Sequence, residues 1–261
     1  MIRSLWTGTT GMHSQQLNID VIANNLANVS TTGFKKSKAD FQDLLYQTMK
    51  VPGSQTSADT ESPTGILVGL GVKPAAVTKV FSQGDLILTE NELDVAIEGD
   101  GFLQVELPNG NTSYTRAGAM KRDSNGRLTT SDGYPIIPGI TIPDGALKIS
   151  IGETGIVSAI IGDDSVSTEL GTIELATFTN NAGLSAIGKN LFEETTASGT
   201  AQTGTPGEDG FGTLLQTYLE GSNVNIVEEL ANMITTQRAY EINSKTIQTS
   251  DEMMQTTNNL V

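Results

Sequence analysis

The chain has no cysteine and a single histidine, His13. That excludes thiolate chemistry, a disulfide framework and Cys/His zinc sites. A Ser-His-Asp triad would have to be built on His13, which sits inside a helical pattern, a poor place for a general base. Aromatic residues make up 5% of the chain, too few and too scattered for a sugar platform. Charged residues are 17%, below the usual quarter, and the net charge of −15 argues against nucleic acid as a partner. No apolar run nears the ~20 residues of a membrane span. Thr7, Gly8, Thr9, Thr10, Ser14, Gln15 and Gln16 interrupt any signal-peptide core. Neither membrane insertion nor a cleaved signal is expected.

What is present is unevenly distributed. The 261 residues suffice for one large or two small domains. Residues 149–221 hold ten acids and one base, Lys189, whereas residues 1–34 are neutral, with Arg3 against Asp20. Neutral termini can pack against copies of themselves, while the acidic middle should face solvent.

The ends carry the clearest periodicity. Ile226, Met233, Tyr240, Ile247, Met254 and Val261 step by seven, and Leu230, Gln237, Ser244, Asp251 and Asn258 form an adjacent, largely polar row. Leu5, Met12, Ile19 and Leu26 also step by seven, with Gly8, Gln15, Ile22 and Val29 beside them. Seven residues are two helical turns, so each set is a narrow axial stripe. A helix over 222–261 would extend roughly 60 Å and asks for another long helix to cover it. Two amphipathic helices on an ordinary core would show the same period; matching seams at opposite ends favour a coiled-coil stem.

The first helix is expected over 4–29, with Gly33 as its C-terminal glycine. Asn24, Asn25 and Asn28 crowd its end, at roughly 1–2 kcal/mol of helix propensity. They suit either fraying or amide hydrogen bonds to other chains. Asn225 is placed to cap the last helix, with Glu228 and Glu229 in its first turn. Arg238 and Glu241 are spaced as a helix-face pair, either solvent-facing or between subunits.

Between the ends, Lys35, Lys36 and Lys38 form a small basic cluster, and Phe41 to Met49 gives a short apolar piece. The polar stretch 53–65 reads as a linker or exposed hairpin. From Gly71 to about Leu219 the pattern is all-β, with Asn109-Gly110, Ser124-Asn125-Gly126 and Ser131-Asp132-Gly133 marking turns. The run 198–212 reads as a loop. Asp123 to Gly126 has a calcium loop's residue types, but its glycine arrives too early and no terminal Glu follows, so a hairpin is expected. Asp94 and Glu98 could share a strand face as paired carboxylates, yet alternating acids are common on exposed strands. No Gly-rich phosphate loop leads a strand into a helix.

Two stretches carry a resemblance. Asn24-Asn25-Leu26-Ala27-Asn28-Val29-Ser30-Thr31-Thr32-Gly33-Phe34 is similar to the signature of the bacterial flagellar rod and hook family. Ser222-Asn223-Val224-Asn225, with Glu229, Met233-Ile234 and Gln237-Arg238-Ala239-Tyr240-Glu241, resembles that family's other signature. Asp94 to Phe102, Tyr114-Thr115-Arg116 with Gly118, Gly126-Arg127-Leu128 and Gly133-Tyr134 resemble its middle domain. Asp43-Leu44-Leu45-Tyr46-Gln47-Thr48 followed by Pro52-Gly53 resembles the distal-rod member, where hook proteins differ. Leu103 and Met120 depart from the pattern, since an aromatic is commoner in relatives; that touches core packing.

The resemblance implies an axial structural protein, not an enzyme, with no cofactor, no metal and no catalytic residue. Its fold is expected to be α+β: terminal helices 1–34 and 222–261 paired as a coiled-coil stem, an extended connector 35–70, and an all-β domain 71–221. It implies a homo-oligomeric helical tube that transmits torque and encloses an export channel. The partners implied are proximal-rod and hook-side axial proteins, surrounding ring proteins and the flagellar type III export apparatus. The location implied is the basal body, crossing the periplasm to the outer membrane. The polymer interface would use Leu5, Met12, Ile19, Ile22, Asn24, Asn25, Leu26, Asn28 and Val29 of the first helix. It would also use Ile226, Leu230, Met233, Gln237, Arg238, Tyr240, Glu241, Ile247 and Met254 of the last. Tyr46, Gln47, Thr48, Pro52 and Gly53 would form a rod-specific connector. A proximal-rod or hook subunit, or a secreted wall-acting enzyme, are the alternatives.

Overall fold

The computed structural model describes every residue except 1, 54, 58, 59, 62, 163–166, 260 and 261. Val261, the last member of the apolar stripe, lies outside the described residues. The chain forms two compact units, one from residues 1–26, 37–78 and 225–261, the other from 27–36 and 79–224. It is α+β, with a helix at each end and a β-rich middle.

The first unit holds both helices. Helix α1 is Ile2–Ala27 and α2 is Ile226–Asn259. Asn225 caps α2, its Oδ1 accepting from the Val227 and Glu228 amides at 3.0 and 3.3 Å. Glu228 and Glu229 lie in the first turn, where they suit the positive end of the helix dipole. Strands β1 (Ser37–Asp43), β2 (Tyr46–Lys50), β3 (Gln55–Ser57), β4 (Thr60–Glu61), β5 (Ile66–Gly69) and β6 (Val72–Lys79) follow α1. Strands β2 and β5, which flank the stretch 53–65, pair as an antiparallel hairpin in which Tyr46 faces Gly69 and Thr48 faces Leu67. Strand β1 pairs with β6. Gly71 enters β6 at φ +123°, and a Cβ there would stand 2.3 Å from Thr10 Oγ1. Only glycine permits that approach of strand to helix.

The second unit is built from β7 (Leu86–Leu88), β8 (Val95–Glu98), β9 (Phe102–Glu106), β10 (Thr112–Thr115), β11 (Met120–Arg122) and β12 (Leu128–Thr130). It continues with β13 (Ala146–Ile151), β14 (Ile156–Ile161), β15 (Ser167–Thr172), β16 (Leu175–Thr177), β17 (Ser185–Gly188) and β18 (Leu191–Glu193). Strands β19 (Gln202–Gly204), β20 (Thr213–Gln216) and β21 (Tyr218–Glu220) complete it. A six-stranded sheet runs β17-β18-β10-β9-β16-β19 and a three-stranded one β13-β14-β15, while β20 pairs with β8 and β21 with β7. Successive residues of β9 point to opposite faces. Leu103 and Val105 enter an aliphatic core with Met120, Leu128, Ile136, Val157 and Leu175. Phe102 enters an aromatic one with Tyr114, Phe178 and Phe192. The central strand is therefore covered on both sides, and its near-continuous apolar run follows from that. Leu103 and Met120, the two departures from the family pattern, pack in one core.

The expected turns form. Gly110 at φ +83° closes the β9–β10 hairpin, and Gly126 at φ +79° closes β11–β12, with its amide on Asp123 O at 2.9 Å. Asp123 accepts the Ser124 amide at 2.6 Å as a turn residue. The segment 198–212 differs from the expected loop, because it contains β19 on β16. That strand is three residues on a sheet edge, too short to show through its Gly/Thr/Pro surroundings.

Gly33 is not the C-terminal glycine of α1. The helix stops at Ala27, and Thr31 donates its amide to Asn28 O at 3.2 Å in a separate turn. Gly33 lies further on, at φ +69°, where a Cβ would stand 2.6 Å from the Ala117 amide nitrogen.

Candidate assembly interface

Within the first unit the two helices touch along one row each. Ser4 Oγ lies 3.2 Å from Ser250 Oγ, Asn18 Nδ2 donates to Thr236 Oγ1 at 3.1 Å, and Asn25 Nδ2 donates to Glu229 Oε2 at 3.4 Å. A Cβ on Gly11 would be 2.9 Å from Asn243 Nδ2, and one on Gly8 would be 3.0 Å from Ile247 Cγ1. As the α1 number rises, the α2 number falls by the same step, so the helices run antiparallel. Apart from Gly8 and Ile247, the touching residues step by seven on both helices, and they are small or polar.

The expected interface residues distribute around this row. Ile22 is buried, and Leu5, Met12, Ile19, Leu26, Met233, Ile247 and Met254 are half-buried. Ile226, Leu230, Gln237, Arg238, Tyr240 and Glu241 are exposed. Apart from Ile247, the row of α2 that touches α1 is thus Glu229, Thr236, Asn243 and Ser250, which sequence reasoning passed over in favour of the stripe Ile226, Met233, Tyr240, Ile247 and Met254 and its neighbours Leu230 and Gln237. Arg238 Nη1 donates to Glu241 Oε2 at 2.8 Å on the exposed face. Asn24 is exposed, while Asn28 and Val29 are half-buried beyond the helix end. Asn25 is buried and serves its own chain. Its Nδ2 donates to Ser37 O at 2.9 Å, and its Oδ1 accepts the Ser37 amide at 2.8 Å. The side chain thus behaves as a one-residue strand partner at the start of β1, which explains an asparagine inside a helix.

A large apolar surface is left in water on this unit. Val227 is 77% exposed and Ile234 59%, one helical face of α2 with Leu230 between them. Trp6 on α1 is also exposed. The hairpin adds Leu45, Tyr46, Met49, Val51, Ile66 and Leu67, with Gln47, Thr48, Pro52 and Gly53 exposed among them. Exposed apolar side chains in such number on one unit point to an interaction site.

In the second unit, segment 27–36 and residues 220–224 meet at a buried ionic cluster. Lys35 Nζ donates to Glu220 Oε1 at 2.6 Å and to Ser82 O at 2.7 Å. Arg116 Nη1 lies 3.6 Å from Glu220 Oε2, and its Nη2 donates to Gly99 O at 2.7 Å. The Gly84 amide donates to Glu220 Oε1 and the Gly33 amide to Glu220 O. Burial pushes the Lys35 ammonium below its ordinary range, against the pull of Glu220, and does the same to the Arg116 guanidinium. Asn223 closes the cluster, accepting the Lys36 amide at 2.7 Å and donating to Val80 O at 2.8 Å. Lys35 is therefore not part of an exposed basic cluster with Lys36 and Lys38.

The residues weighed for catalysis have structural places. His13 is exposed on α1. Asp94 is buried, accepting from Thr89 Oγ1 and Asn91 Nδ2 at 2.9 Å each, while Glu98 is exposed. Among the described residues no group of three or more His, Cys, Asp or Glu could hold a metal ion. No described helix is long and apolar enough to cross a membrane.

Comparison with known proteins covers the whole chain. Residues 5–35 match the flagella basal body rod protein family. Residues 96–159 match the flagellar hook protein FlgE/F/G D1 domain, and residues 215–260 the flagellar basal body rod FlgEFG protein C-terminal family. The flagellar basal-body rod protein FlgG of Buchnera aphidicola subsp. Schizaphis graminum is 53% identical over 98% of each chain. That of Borreliella burgdorferi is 52% identical over 100% of this chain and 99% of its own. These relatives are structural proteins rather than enzymes. The chain belongs to the flagellar basal-body rod protein family, with the distal-rod FlgG proteins, and is a structural subunit of the rod.

Proposed function

We propose that this subunit polymerises head to tail into a helical tube whose terminal helices, paired as an antiparallel coiled-coil stem, form the inner wall. A heterologous contact that does not close gives a filament. The observation that carries this reading is the apolar face Val227, Leu230 and Ile234, in water on the single chain and on the opposite flank of α2 from the row that meets α1. Neighbouring subunits would cover it. The tube would enclose the export channel and transmit torque to the hook, with the β-rich unit outward and the β2–β5 hairpin bridging neighbours. Tyr46, Gln47, Thr48, Pro52 and Gly53 would belong to that bridge. Proximal-rod and hook-side axial proteins would continue the polymer at its ends, and ring proteins would surround it. Export through the flagellar type III apparatus would deliver the subunit to a rod that crosses the periplasm to the outer membrane.

The test is Ile234→Asp. A charge on the covered face would be buried without a partner and cost several kcal/mol per contact. The expected result is a folded, exportable subunit, no rods in micrographs of basal bodies, and no motility. Normal rods and swimming in this variant would contradict the reading.

A further inference from the structure

Resting on the proposal that the two terminal helices pair as a stem, we infer that the polar row between them sets the register in which they pair within one chain. Apart from Ile247 over Gly8, the apolar residues do little of this. Leu5, Met12, Ile19 and Leu26 repeat every seven residues, as do Ile226, Met233, Tyr240, Ile247 and Met254, so sliding one helix by seven brings another apolar side chain to most places in the stripe. The row Ser4, Gly11, Asn18 and Asn25 against Ser250, Asn243, Thr236 and Glu229 has a glycine at one rung only and a carboxylate at one rung only.

Each rung is specific. Asn243 sits over Gly11, where a Cβ would stand 2.9 Å from its Nδ2. A slide of seven would put it over Asn18 in one direction and Ser4 in the other, neither of which offers a glycine's space. Ile247 sits over Gly8 in the same way, its Cγ1 3.0 Å from where a Cβ on that glycine would stand. Glu229 is buried with Asn25 as donor at 3.4 Å, and the slide that brings Thr257 to Ser4 carries it past the end of α1, removing that donor from a carboxylate held out of water. Asn18 with Thr236, and Ser4 with Ser250, would exchange their present hydrogen-bond partners on such a slide. A polar residue at a helix seam is a known way to fix register at some expense of stability.

The chain has no cysteine, so introduced thiols can form a disulfide with no competitor. Two full-length variants, Ser4→Cys/Ser250→Cys and Ser4→Cys/Thr257→Cys, report the observed register and the one shifted by seven. That shift is roughly 10 Å along the helix, beyond the Cα reach of about 7 Å for a disulfide. Intrachain disulfide formation is timed for each in the purified chain, in buffer and in urea. The expected result is that only the Ser250 variant cross-links faster in buffer than in urea. Adding Asn18→Leu, Thr236→Leu and Asn243→Leu should bring the Thr257 variant up to the rate of the other. If both variants already exceed their urea rates equally without the leucines, the helices pair but the row does not set their register. If neither exceeds its urea rate, the stem reading fails and the inference with it. Overturning results with the leucines in place are a cross-link at Ser250 alone, or at neither position.

Discussion

Lys35 Nζ and Glu220 Oε1 stand 2.6 Å apart with both side chains wholly buried, although 185 residues separate them. Lys35 lies in the segment that follows α1, and Glu220 in the one that precedes α2. The pair ties both segments into the β-rich unit. Lys35→Met takes the 2.6 Å donor from the buried Glu220 carboxylate and leaves it Arg116 at 3.6 Å, so it should destabilise that unit by about 1.5–3 kcal/mol, the worth of a hydrogen bond to a charged group. The triple replacement Lys35→Met/Arg116→Met/Glu220→Leu should recover most of the loss. Urea unfolding midpoints measure both, and an unchanged midpoint in the single variant would contradict the assignment.

The same pair makes a prediction about pH. Lys35 titrates below its ordinary value in the folded chain because burial outweighs Glu220. Between that lowered value and about 10.5, the unfolded chain binds more protons, so the Lys35 contribution to stability rises with pH across that window. The difference in unfolding free energy between the natural chain and Lys35→Met should shift in that direction there. A difference independent of pH would contradict it.

Gly11→Leu should part the helices. Its side chain has to occupy the place of Asn243, and overpacking of this kind costs about 1–3 kcal/mol. Ile247→Asp should act similarly, through its seat over Gly8. Circular dichroism should show lost helix in both, while the melting of the β-rich unit stays put. Unaltered helix content would show that the close approach is unimportant.

Deleting residues 53–65 should leave the melting of the β-rich unit unchanged, since that unit contains none of them. We expect bent, fragile or absent rods in micrographs, because β2 and β5 would lose the segment that joins them and that would bridge to a neighbouring subunit. Straight, full-length rods would reduce the segment to a surface loop.

Asn225→Ala should destabilise α2 by about 1 kcal/mol, since the Val227 and Glu228 amides lose their acceptor. Hydrogen exchange of those two amides reads the effect directly, and unchanged protection would contradict it.

Local signals in the sequence are legible where their cause is local. Asn225 as a cap, and Asn109-Gly110 and Asn125-Gly126 as turns, follow from backbone chemistry within a few residues. The heptads locate both helices, but they point to the apolar row for the intrachain contact. The contact lies on Ser4, Gly11, Asn18 and Asn25, because closest approach selects small side chains and paired amides, which a hydrophobic period does not weigh. Lys35 reads as one of three surface lysines. Its burial is decided by Glu220 and Arg116, far away in sequence, and no local pattern encodes that. Gly33 is legible as a left-handed glycine but not in its place, since the turn at Asn28 intervenes.

Electron microscopy of rods isolated from cells producing this chain tests the central claim most directly. The account predicts both terminal helices of each subunit in the wall of the channel, with Val227, Leu230 and Ile234 covered by neighbouring subunits and the β-rich unit outside. Helices on the outer surface, or these three side chains still in solvent within the assembled rod, would contradict it.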